Sequence, residues 1–224
     1  MKVELISYTK PSEEMFKNGI HEAQDLIAYC ARVSNPANQY NTDTAEKLVM
    51  YLIKNKHWSP LEMVNVVLEI ETTRDIAHQI VRHRSFSFQE FSQRYADPTK
   101  ELHFVLREAR LQDEKNRQNS VETKNFELAM GWELQQKKVI ETAKAAYSWA
   151  IANGIAKEQA RVVLPEGNTM TRLYMNGTLR SWVHYIDLRA GNGTQKEHME
   201  VAKACARVIA EVFPLITKVV SVGE

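Results

Sequence analysis

The 224-residue sequence is poor in the residues that interrupt regular structure. It has 8 glycines and 6 prolines, which is half the share expected from an average usage of roughly 7% Gly and 5% Pro. A turn-dense β-sandwich or barrel is therefore disfavoured, and so is a flexible linker. The net charge is also close to zero, at +1, with 29 Lys and Arg against 28 Asp and Glu. This balance disfavours a dedicated duplex-DNA binder, because such proteins carry a basic excess.

Long apolar runs and cysteines are scarce as well. No apolar run reaches the roughly 18 residues needed to cross a bilayer, and the N-terminal MKVELISYTK lacks the apolar core of a signal peptide. We therefore expect a cytoplasmic protein that contacts no membrane. In a reducing compartment the two cysteines, Cys30 and Cys205, are expected to be buried thiols and not a disulfide.

Two families of binding motif are missing. The seven histidines form no HExxH motif or other close ligand pair, so no metal site is predicted. The chain also has neither GxGxxG nor GxxxxGK[ST]. A nucleotide cofactor would therefore bind without the usual phosphate loops.

The pattern of apolar residues predicts one α+β domain over residues 1–224, helix-rich with a small central β-sheet. Alternation predicts strands at 2–8 and 64–71, with further strands at 101–106 and 169–176. Helical spacing and cap signals predict helices at 21–33, after Asp43, after a capping box at Thr72 and Asp75, and at 121–153, 155–164, 178–189 and 195–212. Residues 107–119 are polar without a period, which predicts a solvated loop.

The segment 79–95, QIVRHRSFSFQEFSQRY, concentrates the chemistry. It follows an apolar helix and carries four cationic or imidazole side chains among hydroxyls and amides: Arg82, His83, Arg84 and Arg94. Asp75, Gln79 and Arg82 are spaced to share one helix face. Because Arg suits bidentate phosphate contacts, an anion site is a plausible interpretation. A solvated basic turn is the alternative, since charge runs are usually exposed faces.

Arg189 is the second informative position. It extends the apolar stripe of the predicted helix 178–189, where an unpaired guanidinium would be costly. One interpretation is a buried salt bridge to an acidic side chain, and the other is a charge directed at an anionic ligand. Arg161, ahead of VVLP, is a similar but weaker case.

The order of these elements resembles the flavin-dependent thymidylate synthases. Arg82-His83-Arg84, seven residues and then Ser92 match the RHR-x7-S motif of that family. The resemblance extends from about residue 20 to 212 and includes the following further elements: Gln79, Glu90, the Arg94-Tyr95 ending, HWSP at 57–60, ARVVLP at 160–165 and the Leu188-Arg189 end of the late helix.

The resemblance implies an activity and its partners. Such enzymes methylate dUMP at C5 to give dTMP, with 5,10-methylenetetrahydrofolate as one-carbon donor, FAD as redox cofactor and NADPH as reductant. It also implies a homotetramer whose active sites are shared between subunits.

The resemblance also assigns residues by position. The FAD contacts implied are Ser59, Arg82, His83, Arg84, Glu90, Thr178, Arg180 and His184, with His57 close to the flavin and folate. The dUMP contacts implied are Gln79, Arg82, Glu90, Ser92, Arg94, Arg161 and Arg189, the last against the uracil ring. The family often has Asn where this chain has Thr178 and His184, and residues 166–170 differ slightly in length.

The chemistry of uracil separates two mechanisms. C5 becomes nucleophilic either through a thiolate that adds at C6, or through a cation that stabilises the ionised ring. Neither cysteine has an activating sequence context, so we predict that Arg189 activates dUMP and that Ser92 is a hydrogen-bond donor and not a nucleophile. The competing class is a nucleic-acid-binding module that places Arg82, Arg84 and Arg94 on phosphates. It leaves Arg161 and Arg189 unexplained, so we predict no nucleic-acid partner.

Overall fold

The computed structural model describes residues 1–220. The strands in that range are β1 Lys2–Tyr8, β2 Asn65–Thr73, β3 Ser87–Glu90, β4 Arg110–Gln112, β5 Ser120–Glu122 and β6 Met170–Thr178. The α-helices are α1 Glu13–Lys17, α2 Ala23–Ala31, α3 Ala45–Lys54, α4 Arg74–Ile80, α5 Pro98–Glu101, α6 Phe126–Ala152, α7 Lys157–Ala160, α8 Leu179–Arg189, α9 Lys196–Ile209 and α10 Ile216–Val219. Short 3₁₀ helices lie at Pro36–Asn38, Ser59–Met63 and Arg161–Val163.

Four strands form one antiparallel sheet in the order β1-β2-β6-β3. Its buried face carries Val66, Leu68 and Ile70 of β2 beside Leu173 and Met175 of β6, all fully buried. Helices α2, α3, α4, α8, α9 and α10 contribute to the same core. An antiparallel sheet packed on one face shows this alternation in its sequence, so the α+β class is confirmed and β2 and β6 lie close to where they were predicted.

Helix α8 follows β6 directly and confirms the helix predicted at 178–189. Thr178 is its N-cap, with Oγ1 accepting a hydrogen bond from the Ser181 amide at 3.2 Å. Trp182 is fully buried, and its Nε1 donates to the Val66 carbonyl at 3.1 Å. The sheet thus holds one side of α8 and leaves Arg180, His184 and Arg189 less covered.

Strand β3 is not predicted from the sequence, where 79–95 is treated as a helix followed by a polar loop. Helix α4 ends at Ile80, a turn covers 81–86, and β3 then pairs with β6. The Phe86 ring lies so close to Gly177 that a Cβ there would come within 2.4 Å of it. The absence of a side chain at Gly177 therefore lets the 81–86 turn close onto β6.

The strand predicted at 101–106 is wrong. Residues Pro98–Glu101 form helix α5, because Asp97 caps it and proline occupies its first position. The rest of the predicted strand, residues 102–106, forms one isolated antiparallel β-bridge, between Phe104 and Thr169. Cap chemistry outweighs the apolar residues here.

The interpretation of 107–119 as a solvated loop is wrong for its first residues. The side chains of Arg107 and Arg110 are only 17% and 13% exposed, and both form ion pairs with Glu197. The chain then forms the two-stranded ribbon β4-β5, so α6 begins at Phe126 and not at 121. Ion pairs with a distant helix have no local period, and periodicity therefore does not reveal them.

Two predicted helix starts are shifted by one residue. Helix α3 begins after Thr44 and not after Asp43, and α4 begins after Thr73 and not after Thr72. The Thr73 hydroxyl instead donates a short hydrogen bond to Asp75. Neither N-cap side chain bonds the helix backbone, which is why a cap rule misplaced both.

Other features concern membrane, metal and thiol chemistry. Within residues 1–220 no helix is both long and apolar enough to cross a membrane. In the same range no three His, Cys, Asp or Glu side chains converge as a metal site requires. Cys205 is fully buried and Cys30 is half-buried, and both are free. Burial raises the pKa of both thiols, which favours the unreactive protonated form.

Candidate active site

Most predicted site residues fall into two groups at different places on the chain. The first, the α8 cluster, comprises α8 and the segments beside it: Thr178, Arg180, His184 and Arg189, the turn residues Arg82, His83 and Arg84, and the loop residues His57 and Ser59. The second, the β3-end cluster, lies where β3 ends: Glu90, Ser92, Arg94 and Arg161. Gln79 belongs to neither cluster and is described after both.

Arg189 is held by His83. Its Nε donates a hydrogen bond to His83 Nε2 at 2.9 Å, and the His83 ring also meets Tyr185 edge-on at 4.9 Å between centroids. Burial and the adjacent Arg189 guanidinium lower the pKa of His83. The imidazole is therefore neutral at pH 7, with Nε2 as acceptor and its proton on Nδ1. The alternative of an acidic partner for Arg189 is wrong within residues 1–220.

The guanidinium groups of Arg82 and Arg84 are exposed. Neither forms an ion pair within the part of the chain that the structure describes. Arg82 lies beyond the last residue of α4, so it does not share the helix face of Asp75 and Gln79 as the spacing predicted. Two uncompensated cations beside a neutral imidazole make this turn a donor-rich surface suited to an anion.

The N-terminal half of α8 contacts the 57–63 segment. The Trp58 ring meets His184 edge-on at 4.4 Å, and Arg180 forms a short ion pair with Glu62. Burial, and then the charge of Arg180, lower the pKa of His184. The segment predicted to contact a flavin thus lies beside α8, which brings Ser59 near the residues predicted with it.

His57 follows a left-handed residue. Helix α3 ends at Lys54, and Lys56 has φ of 60°. The His57 amide donates back to the Leu52 carbonyl at 2.8 Å, as in a Schellman motif. His57 is exposed, with its ring edge-on to Tyr51 at 6.2 Å between centroids. The turn therefore sets the direction in which His57 leaves α3.

The β3-end cluster begins with Glu90. Its Oε1 accepts hydrogen bonds from Arg74 Nη1 at 3.1 Å and from Thr171 Oγ1 at 2.9 Å. Ser92 Oγ accepts from the Arg94 amide at 3.3 Å. The Arg94 guanidinium lies 3.3 Å from Glu158, whose carbonyl accepts a hydrogen bond from Arg161 Nε at 3.3 Å.

A cavity of about 460 Å³ lies beside this cluster, with Arg74, Gln93 and Arg161 among its lining residues. Gln93 is only 4% exposed, and its Nε2 has no hydrogen-bond partner. A buried donor without a partner is uncommon in folded proteins. Two carboxylates, Glu158 and Glu166, line the cavity as well, so it offers an oxygen-rich ligand guanidinium groups and an unused amide donor beside two negative charges.

In the described part of the chain, the two clusters make no direct contact with each other. Strand β3 leads away from the 81–86 turn and spans about 10–13 Å at 3.3 Å per residue. Within residues 1–220 no hydrogen bond or ion pair joins a member of one cluster to a member of the other. Ser92, Arg94 and Arg161 thus make no direct contact with Arg82 or Arg189 within residues 1–220, and a dUMP pocket lined by all five stays a prediction.

Gln79 leads to residues that the sequence reasoning missed. Its amide bonds to Gln195 at 2.8 Å and to the buried His198 at 3.2 Å. His198 lies three residues before Val201 on the apolar stripe of α9, so the argument applied to Arg189 also applies to it. Gln93 carries no charge and gave no comparable signal.

Comparisons with known proteins agree over almost the whole chain. A family model described as "Thymidylate synthase complementing protein" matches residues 6–215. The chain is 49% identical over 220 residues to a "Probable flavin-dependent thymidylate synthase" of Paramecium bursaria Chlorella virus 1, covering 97% of this chain and 98% of the relative. It is 48% identical over 216 residues to the flavin-dependent thymidylate synthase of Synechocystis sp., covering 96% and 97%.

A solved structure shares the fold. The UMP/dUMP methylase PolB from Streptomyces cacaoi, bound with 5-Br dUMP, superposes with a TM-score of 0.78 at 22% identity. The match covers 97% of this chain and 93% of that one. At this identity the likeness concerns the fold alone.

Proposed function

Because this chain belongs to the flavin-dependent thymidylate synthase family, we propose that it methylates dUMP at C5 to give dTMP. The proposal includes 5,10-methylenetetrahydrofolate as carbon donor, FAD as redox cofactor and NADPH as reductant. One observation carries it above the others: within residues 1–220, Arg189 is bound by a neutral imidazole and not by a carboxylate. Its charge therefore remains available to an anionic substrate.

The α8 cluster fits FAD in its donor set. Arg82 and Arg84 supply cations for a diphosphate, and the neutral His83 supplies an Nδ1–H donor. The Trp58–His184 pair adds aromatic surface at the other end of the cluster. A bound flavin would supply carbon and hydride transfer, and these side chains would hold and orient it together with Ser59, Thr178 and Arg180.

The β3-end cluster fits the nucleotide. A monophosphate needs guanidinium donors, which Arg161 provides and which Arg94 would provide by exchanging Glu158 for the phosphate. Gln93 Nε2 is buried at the same cavity without a partner, and a ligand oxygen would satisfy it. Glu90 is already oriented by Arg74 and Thr171, so it can present its second oxygen to a bound group.

Arg189 is proposed to activate the uracil ring. A cation close to N3 and O4 stabilises the ionised ring, so that C5 gains enolate character. In a half-buried site this interaction is stronger than in water. His83 keeps the guanidinium in place through Nε. Neither terminal nitrogen of Arg189 has a partner within residues 1–220, so both can face the ring.

An enzyme nucleophile is not part of this mechanism. Ser92 Oγ makes no hydrogen bond to a histidine or carboxylate within residues 1–220, and such a base would be needed to activate it. Both thiols have a raised pKa. We therefore assign Ser92 to hydrogen bonding with the nucleotide.

The active site is proposed to form between copies of the chain, in a homotetramer. The two clusters make no direct contact within residues 1–220, which leaves room for the α8 cluster of one copy to meet the β3-end cluster of another. Helix α6 also exposes a row of large apolar side chains: Phe126, Met130 and Leu134, at 73%, 56% and 52% exposure. Rows of this kind mark interaction surfaces.

One experiment tests the activity. The purified protein is reconstituted with FAD and reduced, and oxidation of the flavin is followed with methylenetetrahydrofolate in the presence and absence of dUMP. We expect dUMP-dependent oxidation and formation of dTMP. A colourless protein that takes up no FAD but binds oligonucleotides in a salt-dependent way would overturn the proposal.

A second experiment tests the mechanism. Ser92→Ala and Arg189→Ala are assayed with FAD and dUMP saturating, beside Arg172→Ala as a control for loss of a sheet arginine that pairs with Glu71. We expect Arg189→Ala to lose at least about a hundredfold in kcat, with Ser92→Ala reduced far less and Arg172→Ala near normal. A dead Ser92→Ala beside a near-normal Arg189→Ala would show that the assignment is reversed.

A further inference from the structure

We propose that the buried pair Tyr185 and His198 positions Gln79, so that Gln79 acts toward the nucleotide only as a hydrogen-bond donor. The three side chains belong to one hydrogen-bonded chain that continues through Gln195 to Glu197. This inference rests on the proposed role of Gln79 in binding dUMP. It concerns residues that the predicted site does not include.

The donor-to-acceptor direction of this hydrogen-bonded chain is set at Glu197. Burial would raise the pKa of this carboxyl, but its backbone hydrogen bond and Arg107 hold it below the ordinary value. Arg107 Nη1 lies 2.8 Å from Oε2, and Arg110 Nη2 donates to Oε1 at 2.7 Å. Glu197 is thus ionised and can only accept hydrogen bonds.

Because Glu197 can only accept hydrogen bonds, it determines the orientation of the side-chain amides of Gln195 and Gln79. Gln195 must turn its Nε2 to Glu197, where the distance is 3.0 Å. Its Oε1 then faces Gln79 Nε2 at 2.8 Å. Gln79 is left with its Oε1 toward His198, since the reverse orientation would place two oxygens against each other.

The other end agrees with this direction. His198 is fully buried, and burial together with the charge of Arg189 lowers its pKa to about 3, so the ring is neutral. Its Nδ1 lies 3.2 Å from Gln79 Oε1 and must carry the proton. Its Nε2 then accepts from the Tyr185 hydroxyl at 3.1 Å, which burial keeps protonated by raising the pKa of Tyr185.

One group of Gln79 remains for a ligand. Its carbonyl oxygen is used by His198 and one amide hydrogen by Gln195, while the second Nε2 hydrogen has no partner within residues 1–220. Gln79 is half-buried, so this hydrogen can reach a bound molecule. It would meet an acceptor oxygen of the pyrimidine nucleotide, either a ring carbonyl or a phosphate oxygen.

The tautomer of His198 is tested first, in wild-type enzyme without substrate. Histidine labelled with 15N is incorporated, and the His198 resonances are assigned by their loss in His198→Asn. At pH 7 we expect a neutral ring protonated on Nδ1. A ring protonated on Nε2, or on both nitrogens, overturns the inference whether or not the enzyme binds dUMP.

The positioning role is tested with matched variants. Asn at position 198 keeps an amide donor near the place of Nδ1, whereas His198→Leu keeps none. We expect His198→Leu to weaken dUMP binding about tenfold or more, with a smaller change in kcat at saturating dUMP, and His198→Asn to restore most of the affinity. Tyr185→Phe removes the hydroxyl that holds the proton of His198 on Nδ1, so part of His198 should become protonated on Nε2. Its dUMP affinity should lie between those of His198→Leu and His198→Asn.

Cys205→Ala is the control, because Cys205 is equally buried on the same helix and its side chain forms none of the hydrogen bonds that link Tyr185, His198 and Gln79. It should lose stability without losing dUMP affinity. If wild type binds dUMP and His198→Leu binds it equally well, the inference is wrong. If wild type binds no dUMP, the proposed function fails, and the tautomer measurement alone decides the direction of the chain.

Discussion

Arg189 is a cation on an apolar helix face, and among residues 1–220 its partner is a histidine and not a carboxylate. Its Nε is bound to His83 at 2.9 Å, and the low pKa of that imidazole keeps it an acceptor. A carboxylate partner would cancel much of the field of the guanidinium, whereas a neutral ring fixes its position and leaves the charge. The stripe on α8 predicts that Arg189 is unusual, but nothing in the sequence links it to position 83, so the partner could not be predicted.

Gly177 is the residue against which the RHR turn closes. A Cβ at this position would lie 2.4 Å from the Phe86 ring, and that ring is confined by Trp182 and Tyr185. We therefore expect Gly177→Ala to displace Phe86 and to lower the free energy of unfolding by about 1–3 kcal/mol. Because Phe86 follows Arg84 and Ser85, FAD retention should fall as well. Chemical denaturation and flavin absorbance of the purified protein measure both.

Gly131 gives the matched control for this prediction. It lies inside α6, and a Cβ there would meet no atom within 4 Å. Gly131→Ala should therefore raise the free energy of unfolding by about 0.5–1 kcal/mol. A Gly177→Ala protein as stable and as yellow as wild type would contradict the role given to that glycine.

Among the elements, the end of α3 stores backbone strain. Lys56 has φ of 60°, a conformation that costs an ordinary L-residue about 1–2 kcal/mol. Lys56→Gly should therefore stabilise the protein by about 0.5–1 kcal/mol, since glycine removes this cost and loses part of the gain as entropy. Lys56→Val should destabilise it by about 1 kcal/mol or more, because a β-branched residue avoids this region. Thermal unfolding of both variants measures the difference.

The turn at Lys56 also sets the direction in which His57 leaves α3. A variant that relieves the strain but keeps the turn should therefore change stability without changing flavin binding. Lys56→Gly should leave flavin binding unchanged, because glycine keeps the left-handed turn and the 2.8 Å bond from His57 to Leu52. Equal Tm values for the Gly and Val variants would show that the turn is not strained.

Elements with a strong local period were predictable, and short polar ones were not. Strands β2 and β6 alternate against one core, and α8 carries a full apolar stripe, so the sequence locates all three. Strand β3 has four residues and the ribbon β4-β5 has three in each strand, which is too short for a period. The ribbon is also preceded by Arg107, whose partners Asp75 and Glu197 are remote in sequence.

For the whole molecule, the sequence predicts the residue types of the proposed site but not the distances between them. The RHR-x7-S spacing places Arg82 and Ser92 ten residues apart, which is compatible with one pocket. Strand β3 lies between them and is extended by its pairing with β6, so the two side chains make no direct contact within residues 1–220. Spacing in sequence carries no information on whether two groups meet within one chain or between copies.

The stability of the molecule should depend on pH through the histidines whose pKa is lowered by folding, above all the buried His198. The pKa of His198 falls from 6.5 to about 3 on folding, and those of His83 and His184 are lowered too. A lowered folded pKa means that the unfolded chain takes up protons first, so stability is complete above pH 6.5 and is lost as the pH falls toward 3. His198 alone should remove up to about 1.4 kcal/mol per pH unit in that window.

Urea denaturation between pH 8 and 5 measures this dependence. His198→Asn cannot be protonated and should flatten the slope between pH 6.5 and 5, while Cys205→Ala should keep the wild-type slope at a lower stability. A wild-type stability that is constant over this range would contradict the prediction.

The exposed apolar face of α6 bears on how copies of the chain assemble. Phe126, Met130 and Leu134 are spaced four residues apart on a 27-residue helix and are more than half exposed, whereas a monomer rarely leaves such a continuous row in water. If this row lies between copies, Met130→Glu should shift the protein to smaller species, measured by analytical ultracentrifugation at micromolar concentration. Because the two clusters of the proposed site would then no longer meet, dUMP-dependent flavin oxidation should fall in parallel. Phe16→Glu is the matched control, with the same 56% exposure on α1. A Met130→Glu protein with wild-type mass, or a wild type that is monomeric, would show that α6 is not an interface.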